Sequence, residues 1–296
     1  MNPGKKDDVK KGRYLGEISI FFSALFLSLG TVFAKIINNT SDTHSLEISF
    51  VRFLVGLCII SPYFIVKKKP LKPVNLKYVF GRSITNTFSI ILFFLGIQYT
   101  SVTKANMLNM MSPVFVFFLA PFLNKEKQSL SGVMYLIFVM VGAYFVITPD
   151  FNNLQIGDLF ALLSGITAGI STSVLREARK YDDTSLILFY LYLFSTIISF
   201  LMVLPLFTMP SLRVLYLMVI SGVFGVLGQL TMSWGFSQVD ACMGSVISAS
   251  RILFSGIMGI LLFGDPINLN IILGGLMILV ALIGVSGIIK NKKNTK

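Results

Sequence analysis

The sequence predicts an all-α integral membrane protein: ten transmembrane helices arranged as two inverted five-helix repeats. Three observations lead there. The composition is too apolar for water, ten separate stretches have spanning length, and small, weakly polar residues recur at a fixed offset. Of the 296 residues, 54% are hydrophobic and 13% charged, against about 25% charged in an ordinary soluble domain. So few charged groups cannot cover an aqueous surface of this size. That excludes a water-soluble enzyme, a nucleic-acid binder and a disordered chain. The net charge of +12 lies in short basic runs between apolar stretches, not along folded faces as on a DNA-binding surface. Cys58 and Cys242 fall inside apolar stretches and suggest neither a disulfide framework nor a metal site. The single histidine, His44, lies in a polar loop.

A chain crossing lipid must satisfy its backbone internally, as helices or as a closed barrel. Barrel strands alternate apolar and polar residues. The runs Ile90 to Gly96 and Ile257 to Phe263 do not alternate, which selects helices. A helix needs about 20 apolar residues to cross, and ten stretches qualify: 15–36, 48–66, 78–98, 105–123, 131–148, 157–176, 186–206, 213–235, 241–263 and 269–289. Lys10, Lys11 and Arg13 precede the first, and no small-x-small cleavage site follows. It reads as a retained start-transfer helix, not a signal peptide. Placing the N-terminus inside puts most Lys and Arg residues, Arg82 among them, on the inner side. Lys35, Lys104 and Arg213 then lie near outer span ends, and Arg52 and Arg251 within spans. The expectation is a multi-pass protein of the plasma (cell) membrane with both termini cytoplasmic. It is organised as a basic tail 1–13, repeats 14–150 and 151–290, and a basic tail 291–296.

The repeat is visible directly. Gly16-Glu17, Ser23-Ala24, Ser28, Thr31 and Lys35 recur 141 residues on as Gly157-Asp158, Ser164-Gly165, Gly169, Thr172 and Arg176. Ala24, Ser28, Thr31 and Lys35 are spaced 4, 3 and 4, which places them on one helical face. Ala105, Met107 and Ser112 match Ala241, Met243 and Ser248 in the same manner, each set followed by an acid, Glu126 or Asp265. Frequent Gly, Ala and Ser in membrane helices offer a plainer source for such matches. A repeat of five spans would turn the second copy upside down, the build of alternating-access transporters with a midplane site between halves.

These features resemble the EamA-type branch of the drug/metabolite transporter superfamily over nearly the whole chain. The likeness rests on the two five-span repeats, Phe50-Val51-Arg52-Phe53 opening the second span, and Gly96 closing the third. It continues through Ala105 to Ser112-Pro113, Glu126 and the Gly-rich fifth span, echoed by Gly235, Ala241 and Asp265-Pro266. The second copy departs from the first in having Ala249 where Pro113 stands, which removes the residue expected to kink that span. The resemblance implies a ten-helix permease whose first four helices of each repeat enclose the substrate cavity, the fifth and tenth being peripheral. It implies a small organic substrate without naming one. Arg82-Ser83 ahead of an aromatic run is faintly similar to the S-adenosylmethionine uptake subgroup.

Polar groups within spans mark candidate binding residues, since a charge at the bilayer centre costs roughly 2.5–3.5 kcal/mol on insertion scales. Arg251 shares a face with Gly244, Ser248, Ser255 and Gly259 and has no mid-depth carboxylate to pair with. It is expected to face a wet cavity and hold an anionic substrate group, because a guanidinium fork fits carboxylate or phosphate. The plainer alternative has it holding backbone carbonyls or Gln229. The expected substrate-binding set is Arg251, Ser248, Gln229, Asn109, Asn86 and Ser28. Asn86 and Asn109 could equally bond across helices. Pro113 frees the carbonyl of Asn109, a further possible contact. Arg52 reads as a structural anchor near the outer end, able to snorkel and to pair with Glu47 only if the helix start is irregular, and Arg82 as shallow at the cytoplasmic end. Met107, Met110 and Met111 read as an adaptable wall or as packing, and Trp234 as an interfacial anchor.

The resulting function is a secondary transporter moving a small organic metabolite, with an anionic or zwitterionic group, by alternating access. A flippase for lipid-linked substrates is the alternative. No nucleophile–base pair, paired mid-membrane carboxylates or Gly-x-Ser-x-Gly occurs, so no enzyme and no catalytic residue is expected. No filter loop suggests a channel. Without an ATP-binding loop, and with Glu17 the only first-half acid available for proton coupling, exchange or facilitated transport is favoured. The expected partners are the small-molecule substrate, the lipid bilayer and, as an open option, a second copy in a homodimer; no nucleic acid, metal or cofactor is expected.

Overall fold

The computed structural model describes residues 3–100, 102–126, 129–147, 155–264 and 269–285. The side chains of 3–11, 102–104 and 107 fall outside that description, as do Asp265, Pro266, Lys127 and the lysines after 285. The described residues form helices and no strand. In chain order these are α1 (Pro3–Thr40), α2 (Ser45–Lys67), α3 (Leu76–Tyr99), α4 (Val102–Asn109), α5 (Ser112–Leu123) and α6 (Leu130–Ile147). They continue as α7 (Ile156–Ala178), α8 (Thr184–Val203), α9 (Leu212–Gln238), α10 (Ala241–Ser248), α11 (Ser250–Phe263) and α12 (Leu269–Val285).

Seven stretches are long and apolar enough to cross a membrane: Gly12–Thr40, α2, α3, α7, α8, α9 and the joined α10–α11. The segments Ser112–Leu123, Leu130–Val146 and Leu269–Val285 are equally apolar but shorter. The first helix begins well before the expected span, inside the basic segment read as a tail. Lysine is a good helix former, and no proline interrupts the chain between Pro3 and Thr40.

Two expected spans are each pinched into two helices. Between α4 and α5, Met111 N bonds the carbonyl of Leu108 at 3.2 Å and Val114 N that of Met111 at 3.0 Å. Both are three-residue bonds of the tighter 3₁₀ kind. Pro113 explains this pinch, since it has no N–H for the carbonyl of Asn109. The second pinch comes at Ala249, although no proline stands there. Its backbone angles, φ −67 and ψ −12, nearly equal those of Met111, φ −68 and ψ −11. Ala249 N bonds Val246 at 3.1 Å, and the hydroxyl of Ser248 takes the carbonyl of Ser245 at 2.7 Å. The same serine bond sits inside unbroken helices at Ser23 and Ser164, so it accompanies this pinch without explaining it.

Helices α1 and α9 pack along their length, and so do α3 and α7. Two of the close approaches are counterparts. A Cβ on Gly96 would lie 3.1 Å from that of Ala161, and Gly235 meets Ile20 in the same way, its Cβ coming within 3.2 Å of Ile20 N. Ile20 and Ala161 are themselves related by the 141-residue offset. The small face of α7 fits the first pinch: a Cβ on Gly169 would come within 2.9 Å of the Ser112 carbonyl. Helices α6 and α12 cross outside the rest at Gly142 and Gly274, where a Cβ on Gly142 would lie 2.7 Å from the Gly274 carbonyl.

Candidate functional site

Two cavities with wall residues in common lie between the helices. An inner chamber of about 110 Å³ is bounded by Ser23 and Leu27 of α1, Arg52 of α2 and Arg82, Asn86, Ser89 and Phe93 of α3. Asn109, Met110 and Ser112 at the first pinch, Thr172 of α7, Gln229 of α9 and Ser248 and Arg251 at the second complete it. A vestibule of about 150 Å³ is bounded by Ser28, Thr31 and Lys35 of α1, with Asn106, Met110, Arg251, Ser255 and Phe263. Arg251 and Met110 belong to both walls. Helices α6 and α12, expected to be peripheral, do give Val146 and Ile271 to the vestibule.

All six residues singled out in the sequence border these spaces: Arg251, Ser248, Gln229, Asn109 and Asn86 the chamber, Ser28 the vestibule. Arg251 donates from Nη2 to Thr31 Oγ1 at 2.8 Å. Its guanidinium also stands 5.6 Å from the centre of the Phe93 ring. Its Nε is buried without a partner. Ser28 donates to the Arg251 carbonyl at 3.2 Å, tying α1 to α11. Asn109 donates to Ser164 Oγ at 2.9 Å, a bond across helices, and its proline-freed carbonyl lies against Gly165. Asn86 Nδ2 is buried with no partner.

Two arginines gain partners the sequence did not show. Arg82, six residues into α3, is 1% exposed. It donates to Ser171 Oγ at 2.5 Å and to Gln229 Oε1 at 2.8 Å, leaving Nε unpartnered. Gln229 is therefore engaged by Arg82 and not by Arg251. Helices α7 and α9 close over that turn. Arg52, read as an anchor, makes no ion pair with Glu47 among the described contacts. Glu47 Oε1 instead accepts from the backbone and hydroxyl of Thr208, at 3.1 and 3.0 Å. Arg52 lies against Gly225, where an added Cβ would sit 2.7 Å from Nε. The glycine at 225 was the available sequence signal: a bulky side chain needs a smooth helix to lie on.

No described Asp or Glu borders either cavity. The carboxylates are held at helix ends instead. Glu17 pairs with Arg13 at 3.0 Å, Thr100 donates to Asp158 at 2.6 Å, and Asp182 accepts from the backbone of Val74 and Asn75 at 2.7 and 3.1 Å. Glu126 takes part in the largest such group. Arg176 Nε reaches it at 3.2 Å, and Ala241 N donates to its other oxygen at 2.8 Å. Arg176 further donates to the carbonyls of Phe236 and Ser237 at 2.9 and 3.1 Å and reaches Asp240 at 3.4 Å. Burial first, and Asp240 next, hold the Glu126 carboxyl above the ordinary carboxylate range, against the opposing pull of Arg176. This latch joins α7, α9, α10 and the end of α5. Trp234, near it on α9, is 41% exposed.

A bundle of apolar helices around a cationic chamber of about 110 Å³ is the build of a membrane transporter. The comparisons with known proteins agree. The model of the EamA-like transporter family matches twice, over residues 14–148 and 155–287, and the chain belongs to that family. An uncharacterized transporter of Archaeoglobus fulgidus is 26% identical over 89% of this chain and 93% of its own length. The pseudopaline exporter CntI of Pseudomonas aeruginosa is 25% identical over 81% of this chain and 85% of its own. Solute carrier family 35 member G1 of Mus musculus is 24% identical over 95% and 81%. A solved crystal structure superposes with a TM-score of 0.75 at 14% identity, covering 93% of this chain and 97% of its own, a likeness of fold. The protein is thus a multi-pass membrane transporter and not an enzyme.

Proposed function

We propose that this transporter carries a small organic metabolite with an anionic group across the cell membrane by alternating access. In this reading ten spans form two inverted five-helix repeats, α4–α5 and α10–α11 each counting as one pinched span, with both termini cytoplasmic. The matched pinches, the reciprocal glycine contacts and the twofold family match support the repeats. One observation carries the substrate charge: Arg52, Arg82 and Arg251 border a single chamber that no described carboxylate enters. Each such charge is costly at membrane depth, and an anionic solute offsets that cost in the loaded state. The chamber, the vestibule and Arg251 between them would form the route.

The test is uptake and efflux of labelled organic anions by the purified protein in liposomes, in wild type and Arg251→Ala. Transport of an anion that is lost in a correctly inserted variant is the expected result. Unchanged transport in that variant removes Arg251 from the site. Transport restricted to neutral or cationic solutes removes the anionic reading, and movement of lipid-linked substrates alone turns the protein into a flippase.

A further inference from the structure

Resting on that reading of the chamber, we infer that its ligand is a divalent organic oxyanion, a dicarboxylate or a phosphomonoester. Its charged head would be seated among Arg52, Arg82 and Arg251 and its uncharged body in the vestibule.

The charge count comes first. Three guanidiniums face one chamber, and the described acids are exposed or committed elsewhere. Glu47 serves Thr208, Glu17 serves Arg13 and Glu126 serves Arg176. Neutral groups satisfy the arginines only in part: Ser171 and Gln229 for Arg82, Thr31 for Arg251. A monovalent ligand leaves two of the three charges unmatched in a low-dielectric space, where Coulomb forces are strong. A divalent ligand leaves one.

The donor geometry points the same way. Arg82 Nε, Arg251 Nε and Asn86 Nδ2 are buried without partners, and Arg82 and Asn86 are only 1% and 6% exposed. All three residues border the chamber and come from α3 and α11, with these atoms closed off from it, so a ligand meets them as the side chains turn. A buried donor left unpaired is costly. Two carboxylates or a phosphoryl group offer such donors more acceptor sites than the roughly four lone pairs of one carboxylate.

Size and lining place the remainder of the molecule. About 110 Å³ holds a compact head and little else. The vestibule beyond Arg251 presents Val32, Ile252, Ile260 and Phe263 beside Ser28, Asn106 and Lys35, whose ammonium rests over the Phe263 ring. With that charge facing a ring, the largely apolar wall suits an uncharged body.

The test is thermal stability of the full-length protein in detergent with four probes at matched ionic strength. Succinate is compared with succinamate, and glycerol 3-phosphate with its monomethyl ester. The expected result is stabilisation by the divalent member of one pair, with its monovalent partner roughly tenfold weaker, about 1.4 kcal/mol. The pair that responds separates carboxylate from phosphate. In Arg52→Gln, judged folded by its own unliganded midpoint, the ratio should fall towards one; a merely structural role would weaken both members equally and keep it. Equal binding of both members of each pair overturns divalency and leaves the organic-anion reading standing. No response to any of the four removes both.

Discussion

Arg176 and Lys35 occupy matching places, 141 residues apart, yet the two ends they mark differ. Arg176 is locked to Glu126, to Asp240 and to two carbonyls at the end of α9. Lys35 rests over the Phe263 ring at 3.9 Å, at the edge of the vestibule. One end is tied by charge, and the other borders a space that reaches Arg251. A repeat carries residue type to the matching place, but the partners depend on which side of the molecule is drawn together. The difference lies in what holds each end: ion pairs and backbone carbonyls around Arg176, a ring face under Lys35.

The largest effect should come from the group between the ends. Arg251→Ala should lower liposome uptake roughly 30-fold or more, the usual outcome of truncating a buried charge partner, with insertion intact. Arg251→Lys should recover part, since the charge returns without the fork. Next, Gly225→Ala should cost about tenfold in uptake, because its methyl occupies the place of Arg52 Nε. Gly275→Ala, whose Cβ meets only Leu253 at 3.7 Å, should leave uptake near wild type. If both glycine variants behave alike, the position of Arg52 has no bearing on transport.

A smaller change sharpens the comparison itself. In a Cys58→Ser background, Arg176→Gln should raise thiol labelling of Cys242, which lies beside the latch, by about fivefold. That corresponds to an ion-pair contribution near 1 kcal/mol. Lys35→Gln should leave that labelling unchanged, since Lys35 ties nothing at that end. The smallest effect should follow pH. The Glu126 carboxyl titrates above its usual range, so acidification below neutral protonates it before ordinary carboxylates and loosens its hold on Arg176. Labelling needs the thiolate and falls with pH in every variant, so the readout is the ratio of wild-type to Glu126→Gln labelling of Cys242, which should rise modestly as pH falls.

Much of this was legible in the sequence because it is a property of single segments. Apolar length marked the helices, and a common offset marked the halves. A lone mid-span guanidinium on a small-residue face marked Arg251, with Ser248 and Asn86 beside cavity space. What was not legible concerns relations between segments. The shallow place of Arg82 was read along α3, but α7 and α9 decide its partners. Arg52 was read as an anchor, and the helix it lies on, α9 at Gly225, is distant in sequence. The kink at Ala249 was not expected because no proline stands there, and a break occurs all the same.

The pinch at Ala249 has one more effect. Helix α10 is moored by Ala241 N to Glu126, while α11, starting at Ser250, bears Arg251. The elbow between them has given up a regular backbone bond, so bending there would break fewer bonds than bending inside either helix. Any such bend would carry the cationic group with α11 and leave α10 on its mooring.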